Sequence, residues 1–354
     1  MSSCSEPQCS KPLRRRALLA AGLLLAAAAW AQPGATASGP TWAADGLPPA
    51  LEVDAAAGLS VHEFDWLDAS RQRVVPVRLY LPLAASAAQP VPLVVFSHGI
   101  GGSRRGYSYL GRHWAAQGWA SLHLQHVGSD RALWSGNPLA MAGRLQAAAQ
   151  DSEATARVQD LRFALDQLLA GPLAGRVDAS RIVAAGHSYG ANTTLLAVGA
   201  RVAREGRVLD LRDARLKAAI VISAPPFYGE PAVDRVLGAI DVPSLHVTAT
   251  EDVIRVPGYF SPASDRLAVF DATGGPHKVL AVFDGGSHSI FTDRAGTGGV
   301  ALNPQVKAAP QALSTAFLRS LFGVLDGGRD EPLLQWRHQY QALLARFELR
   351  PGRP

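Results

Sequence analysis

The pentapeptide Gly186-His187-Ser188-Tyr189-Gly190, entered from Arg181-Ile182-Val183-Ala184-Ala185 and left through the run from Ala191 to Ala200, constrains this chain more than any other feature. A β-branched run leading into G-x-S-x-G and a helix-forming run leading out predict a strand, a tight turn and a helix with the serine at the apex. Both glycines have a steric role. The turn holds Ser188 in a strained backbone conformation, and side chains at 186 and 190 would collide with the neighbouring strand and helix.

The rest of the chain supplies a sheet for this turn to stand on. Short β-rich runs cover Ser60 to Trp66, Val74 to Leu81, Pro92 to Ser97, Ala120 to Gln125, Arg181 to Ala185, Ala218 to Ser223, Ser244 to Thr250 and Lys278 to Phe283. They alternate with helical patterns, which predicts an α/β fold with an eight-stranded, mostly parallel sheet. The clearest helix spans 153–170, where Val158, Leu161, Leu165, Leu168 and Leu169 form the sheet-facing stripe and Arg157, Asp160 and Arg162 fall mostly elsewhere. Two more helices are predicted over 309–325 and 332–347. The second carries Trp336, Tyr340, Leu343 and Phe347 on one face, for core packing or a dimer contact. No linker separates halves, so 51–354 reads as one domain.

A serine hydroxyl is protonated at neutral pH and needs a base within hydrogen-bond reach and a third group to orient that base. With the turn of this type the order along the chain is serine, acid, histidine. His288, in Gly285-Gly286-Ser287-His288-Ser289, follows the last predicted strand in a loop able to cross the sheet's C-terminal edge; His277 precedes that strand and His338 lies in the terminal helix. The acid should follow Ser244-Leu245-His246-Val247-Thr248-Ala249-Thr250, which makes Asp252 the expected carboxylate and Glu251 its adjacent competitor. Asp284 is expected instead to fix the His288 loop through local backbone hydrogen bonds. Negative charge developing on an acyl oxygen demands preorganised donors, and the backbone amides of Tyr189 and Ile100 are the two expected, the latter from the loop His98-Gly99-Ile100. His98 is expected to brace that loop. The long segment between the fourth strand and Glu153 is expected to fold over the site, with Trp134 lining an apolar pocket beside Tyr189 or, alternatively, packing in the core.

Other chemistries lack their residues. Both cysteines, Cys4 and Cys9, precede the apolar stretch, so thiol chemistry is not expected beyond it. His123 and His126 have no third ligand nearby, so no metal is expected, and no phosphate-cradling glycine motif points to a nucleotide cofactor. The formal charge of +5 comes largely from Lys11, Arg14, Arg15 and Arg16; beyond residue 31 there remain 30 basic and 28 acidic residues. No basic block with interleaved aromatics follows, so a nucleic-acid partner is not expected.

Residues 1–31 read as a signal peptide, charged at 11–16 and then apolar from Ala17 to about Ala29, with cleavage expected after Ala31 or, as a second choice, after Ala37. A helix of that length spans roughly 20 Å, short of a hydrocarbon core of roughly 30 Å, so no permanent membrane anchor is expected. Arg15-Arg16-Ala17-Leu18-Leu19 resembles a twin-arginine export signal without the usual preceding polar residue, the general secretory route being the alternative. The protein is therefore expected to be exported, periplasmic or secreted, with residues 32–50 as a flexible tail.

Phe96-Ser97-His98-Gly99-Ile100-Gly101-Gly102-Ser103, Gly186-His187-Ser188-Tyr189-Gly190, Thr250-Glu251-Asp252 and Gly286-Ser287-His288 occur in this order, and residues 60–325 thereby resemble the α/β-hydrolase superfamily. Within it the chain looks most like bacterial predicted dienelactone hydrolases and platelet-activating-factor acetylhydrolase-like esterases. The resemblance implies helices on both faces of the sheet and hydrolysis of a small-molecule or lipid-like carboxylic ester through an acyl-enzyme, without cofactor. Two departures stand out. Dienelactone hydrolases proper use a cysteine nucleophile, and the acetylhydrolases carry their acid one strand earlier, where this chain has Ser223. The same triad serves amidases and peptidases, and a binding protein on a hydrolase scaffold is a third alternative.

Overall fold

The computed structural model describes residues 50–351 except 205, 228, 231, 257–258, 295–301 and 324–327. The expected signal peptide and the tail up to residue 49 lie outside the described residues. Ten strands form the main sheet: β1 (Glu52–Asp54), β2 (Leu59–Asp68), β3 (Arg73–Pro82), β4 (Val91–Ser97), β5 (Ala120–Leu124), β6 (Val177–His187), β7 (Leu216–Ile222), β8 (Ser244–Glu251), β9 (His277–Ser287) and β10 (Leu344–Pro351). Their order is β1-β2-β3-β5-β4-β6-β7-β8-β9-β10. The six strands from β5 to β9 in that order are parallel. The edge strands β1, β2, β3 and β10 join antiparallel. All eight predicted strands are present, and β1 and β10 extend the sheet at its two edges.

The central strands form because they can be covered on both sides. Every residue of β4, Val91-Pro92-Leu93-Val94-Val95-Phe96-Ser97, is buried, the continuous apolar run that a two-sided parallel strand requires. Alternate residues serve opposite layers. Leu93, Val95, Ile182 and Ala184 pack with α3 (Asp151–Ala170) and α4 (Tyr189–Ala197), whereas Val94, Phe96, Val183 and Ala185 pack with α1 (Ser108–Ala116) and with the two C-terminal helices Leu302–Phe322 and Glu331–Tyr340. Helices therefore cover both faces.

Two stretches depart from the sequence reading. The helix predicted over 332–347 ends at Tyr340, and Leu344–Pro351 pairs antiparallel with β9. The apolar face holds all the same, since Trp336 is buried and Tyr340, Leu343 and Phe347 pack against its cluster. On α3, Val158, Leu161, Leu165 and Leu168 are buried as expected, but Arg157 and Asp160, read as lying off the buried stripe, are 0% exposed. Asp160 has cover on a second side, where Arg71 in the β2–β3 turn and Arg73 at the start of β3 reach it, whereas Arg157, four residues before Leu161, is on the sheet-facing side and reaches Ser129. The long segment after β5 is structured, with a 3-10 turn at Arg131–Trp134 and α2 (Pro138–Ala148). Asn137 accepts from the Ala140 amide and Pro138 opens the helix, a capping signal present in the sequence.

Candidate active site

Ser188 follows β6, Asp252 follows β8, His288 follows β9 and Ile100 lies just beyond β4, so all four stand at the carboxyl edge of parallel strands, where open α/β sheets bind ligands. Ser188 has φ 55° and ψ −122°, the strained turn expected of the pentapeptide. The steric reading of its glycines holds. A Cβ on Gly186 would come within 2.2 Å of the Gly190 carbonyl oxygen, and one on Gly190 within 1.9 Å of that of Ser97.

This turn aims the serine at a histidine. The Ser188 hydroxyl donates to His288 Nε2 at 2.8 Å, and His288 Nδ1–H donates to Asp252 Oδ1 at 2.6 Å. Asp252 is 0% exposed and its second oxygen accepts from the Thr248 hydroxyl at 2.7 Å. Burial opposes its charge, yet the hydrogen bond and charge of His288 and the nearby Arg266 guanidinium, at 3.5 Å, hold its carboxyl well below the usual range. Glu251, the competitor, is exposed and lies opposite Ser287 in the sheet. Asp284 is also exposed, and the Gly285 amide beside it donates instead to the Thr250 hydroxyl at 2.8 Å. Ser223, with φ 54°, is buried just past the end of β7.

His187 supports the histidine from behind. Its ring lies 4.8 Å from that of His288, Nε2–H donates to the His288 carbonyl at 3.0 Å, and Nδ1 accepts from the Tyr107 hydroxyl at 2.8 Å. Burial, followed by the neighbouring His288, pushes its pKa down to about 3, so it remains neutral and keeps this tautomer. Tyr107 gave no sequence signal, because it acts on His187 across 80 residues of chain, and Arg266 reaches Asp252 from a separate helix, whereas Thr248, four residues before Asp252, sits on the strand that leads to it.

The Tyr189 amide opens α4, where the first turn leaves amides without intrahelical acceptors. Facing it is the loop after β4, which His98 braces as expected: its Nε2 accepts from the His126 amide at 3.1 Å and its Nδ1–H donates to the Gly99 carbonyl at 2.7 Å. Trp134 is 48% exposed and is therefore no core residue; its indole N–H donates to the Gly101 carbonyl at 3.1 Å. Tyr189 turns its ring onto Arg157, whose guanidinium carbon is 4.5 Å from the ring centre. Farther along the same edge, Pro226, Phe227, Tyr259 and Phe260 line an open groove of about 430 Å³.

His123 and His126 use their ring nitrogens on Gly106 and Ser121, and on Asp160 and Ser97, respectively. Among the described residues no group of three His, Cys, Asp or Glu side chains is placed to hold a metal ion, and no helix is long and apolar enough to cross a membrane.

The mixed sheet, its two helical layers and a serine turn after the central strand β6 define the α/β-hydrolase fold. Residues 68–135 match the family model for platelet-activating factor acetylhydrolase, isoform II. Among solved structures the chain is similar to a ferulic acid esterase from Streptomyces cinnamoneus, at 23% identity and a TM-score of 0.55, covering 76% of this chain and 92% of that one. A cold-adapted esterase from an Arctic intertidal metagenomic library has 15% identity and a TM-score of 0.47 over 71% of this chain and 94% of that one. Comparison with curated proteins gave no match.

Proposed function

We propose that this protein is an exported serine hydrolase that cleaves small-molecule or lipid-like carboxylic esters through an acyl-enzyme. The observation that carries this reading is the unbroken hydrogen-bond chain from Ser188 through His288 to the buried Asp252. Ser188 Oγ attacks the ester carbonyl as its proton passes to His288 Nε2, and Asp252 stabilises the imidazolium that forms. The amides of Ile100 and Tyr189 receive the oxyanion. The imidazolium then protonates the departing alcohol, and water, deprotonated by His288, releases the acid and restores Ser188. Trp134, exposed and hydrogen-bonded to the Gly101 carbonyl, is the residue we assign to substrate contact at this loop. The likeness to a ferulic acid esterase and the acetylhydrolase family match favour an ester over an amide substrate. Export rests on the charged-then-apolar leader, and N-terminal sequencing of exported protein should find Gln32 first, a start at Met1 being the contrary result.

Hydrolysis of p-nitrophenyl acetate by the purified mature protein tests the chemistry. Ser188→Ala should lower turnover on the order of 10⁶-fold and abolish labelling by a phosphonofluoridate, with the fold unchanged by circular dichroism. An adduct mapped to another serine would overturn the assignment.

A further inference from the structure

The two amides proposed to receive the oxyanion come from segments that no covalent connection holds in register, the loop after β4 and the first turn of α4. One buried side chain ties both. Arg157, on α3, is 0% exposed, and each guanidinium nitrogen reaches a different segment. Nη2 donates to the His98 carbonyl, two residues before Ile100. Nη1 donates at 2.7 Å to the hydroxyl of Ser129, whose own carbonyl accepts from the Gly101 amide at 2.8 Å, so Ile100 is bracketed on both sides. Nε donates at 2.8 Å to the Thr193 hydroxyl, which in turn donates its own hydrogen bond to the Tyr189 carbonyl at 3.1 Å. The guanidinium face completes the clamp against the Tyr189 ring.

Resting on the esterase reading above, we infer that Arg157 is a positioning residue that sets the separation and aim of the two oxyanion amides, acting through the His98–Gly101 loop and the first turn of α4. A buried cation is costly to keep, and a core position on α3 would be filled more cheaply by leucine. Its charge is balanced nearby. The Glu153 carboxylate accepts from Ser129 at 2.7 Å and so joins the same cluster. A lysine ammonium also carries three donors, but on a single nitrogen at the end of its stem; only the three separate nitrogens of the planar fork can reach the His98 carbonyl and the Ser129 and Thr193 hydroxyls together.

An oxyanion site acts on the transition state, so misaligning it lowers kcat and leaves substrate binding nearly untouched. Arg157→Lys keeps the charge but not the fork, and should lower kcat on p-nitrophenyl acetate on the order of 10²-fold with KM within about threefold. Thr193→Val removes one of the three ties with little change in volume; a smaller kcat loss, on the order of tenfold, is expected. A second readout separates positioning from general loosening. In a trifluoromethyl ketone complex Ser188 Oγ bonds to the ketone carbon, the carbonyl electron pair becomes an alkoxide in the oxyanion site, and the serine proton goes to His288. The inhibition constant should rise in each variant by the same factor as kcat/KM falls.

Melting temperatures decide which variants are compared; if Arg157→Lys does not fold, Thr193→Val carries the test alone. Folded variants with unchanged kcat and inhibitor affinity, or with losses confined to KM, would overturn the inference. Ser188→Ala, assayed in parallel, separates the two proposals. If it keeps activity, the esterase reading of the site has failed; if it is inactive while the Arg157 and Thr193 variants match the parent, only the positioning role has.

Discussion

Glu251 and Asp252 are neighbours in sequence and opposites in environment. The Glu251 side chain is exposed, whereas Asp252 is fully buried between His288 and Thr248. Only the second can orient an imidazole and offset its charge, so Asp252→Ala should lower kcat by about 10³ to 10⁴ and Glu251→Ala by less than about threefold. Steady-state kinetics on one aryl ester decides this, and a larger loss from Glu251→Ala would reverse the assignment. The three side chains of this chain of hydrogen bonds were legible because each follows a readable strand at the same sheet edge. The residues around them were not. Arg157 lies four, eight and eleven residues before Leu161, Leu165 and Leu168, on the buried side of its helix, but the ordinary meaning of an arginine is a solvated charge, and nothing local says that Ser129, His98 and Thr193 will fold over it.

Between residue and domain stands the segment from β5 to α3, which was expected to be a loop over the site and contains a 3-10 turn and α2. Its Ala-rich sequence has no strong apolar stripe, so periodicity could not reveal the helix, although the Asn137-Pro138 start could have. The C-terminal error has the opposite cause. Trp336, Tyr340, Leu343 and Phe347 satisfy a helical spacing, but Arg346, Glu348 and Arg350 alternate with Phe347 and Leu349 at the strand period, and the unpaired edge of β9 decides in favour of the strand. Trp134 tests what the β5–α3 segment does. Half exposed and hydrogen-bonded to Gly101, it contributes surface beside the site rather than core volume. Trp134→Ala should change the ratio of acetate to longer-chain p-nitrophenyl ester turnover with a melting shift under about 2 °C. An unchanged chain-length profile with a melting drop of several degrees would assign the indole a purely structural role.

For the molecule as a whole, the buried histidines set an acid limit. His98, His123, His126, His187 and His246 are all nearly or fully inaccessible, and burial, before any neighbouring charge, lowers each pKa, to about 3 for the last four and well below the ordinary value for His98. In the unfolded chain each titrates near 6.5. Above that value neither state binds the proton and the five contribute no pH dependence. Below it the unfolded chain takes up protons that the folded one refuses, so stability falls as pH falls from about 6.5 towards 3. Each of the four held near 3 makes the slope steeper by the equivalent of one proton, on the order of 1 kcal/mol per pH unit, and His98 acts in the same direction. Together they act against a net stability that for an ordinary domain is only about 5 to 15 kcal/mol. Urea unfolding at pH 7, 6 and 5 should therefore show a steeply decreasing free energy. His246, which faces Ser244 and Phe270 away from the Ser188–His288 contact, isolates one contribution. His246→Gln should flatten the slope by about one proton, whatever it does to stability at pH 7. Equal stability at pH 7 and pH 5 would mean that the folded protein admits these protons, and that the histidines are not held neutral by burial.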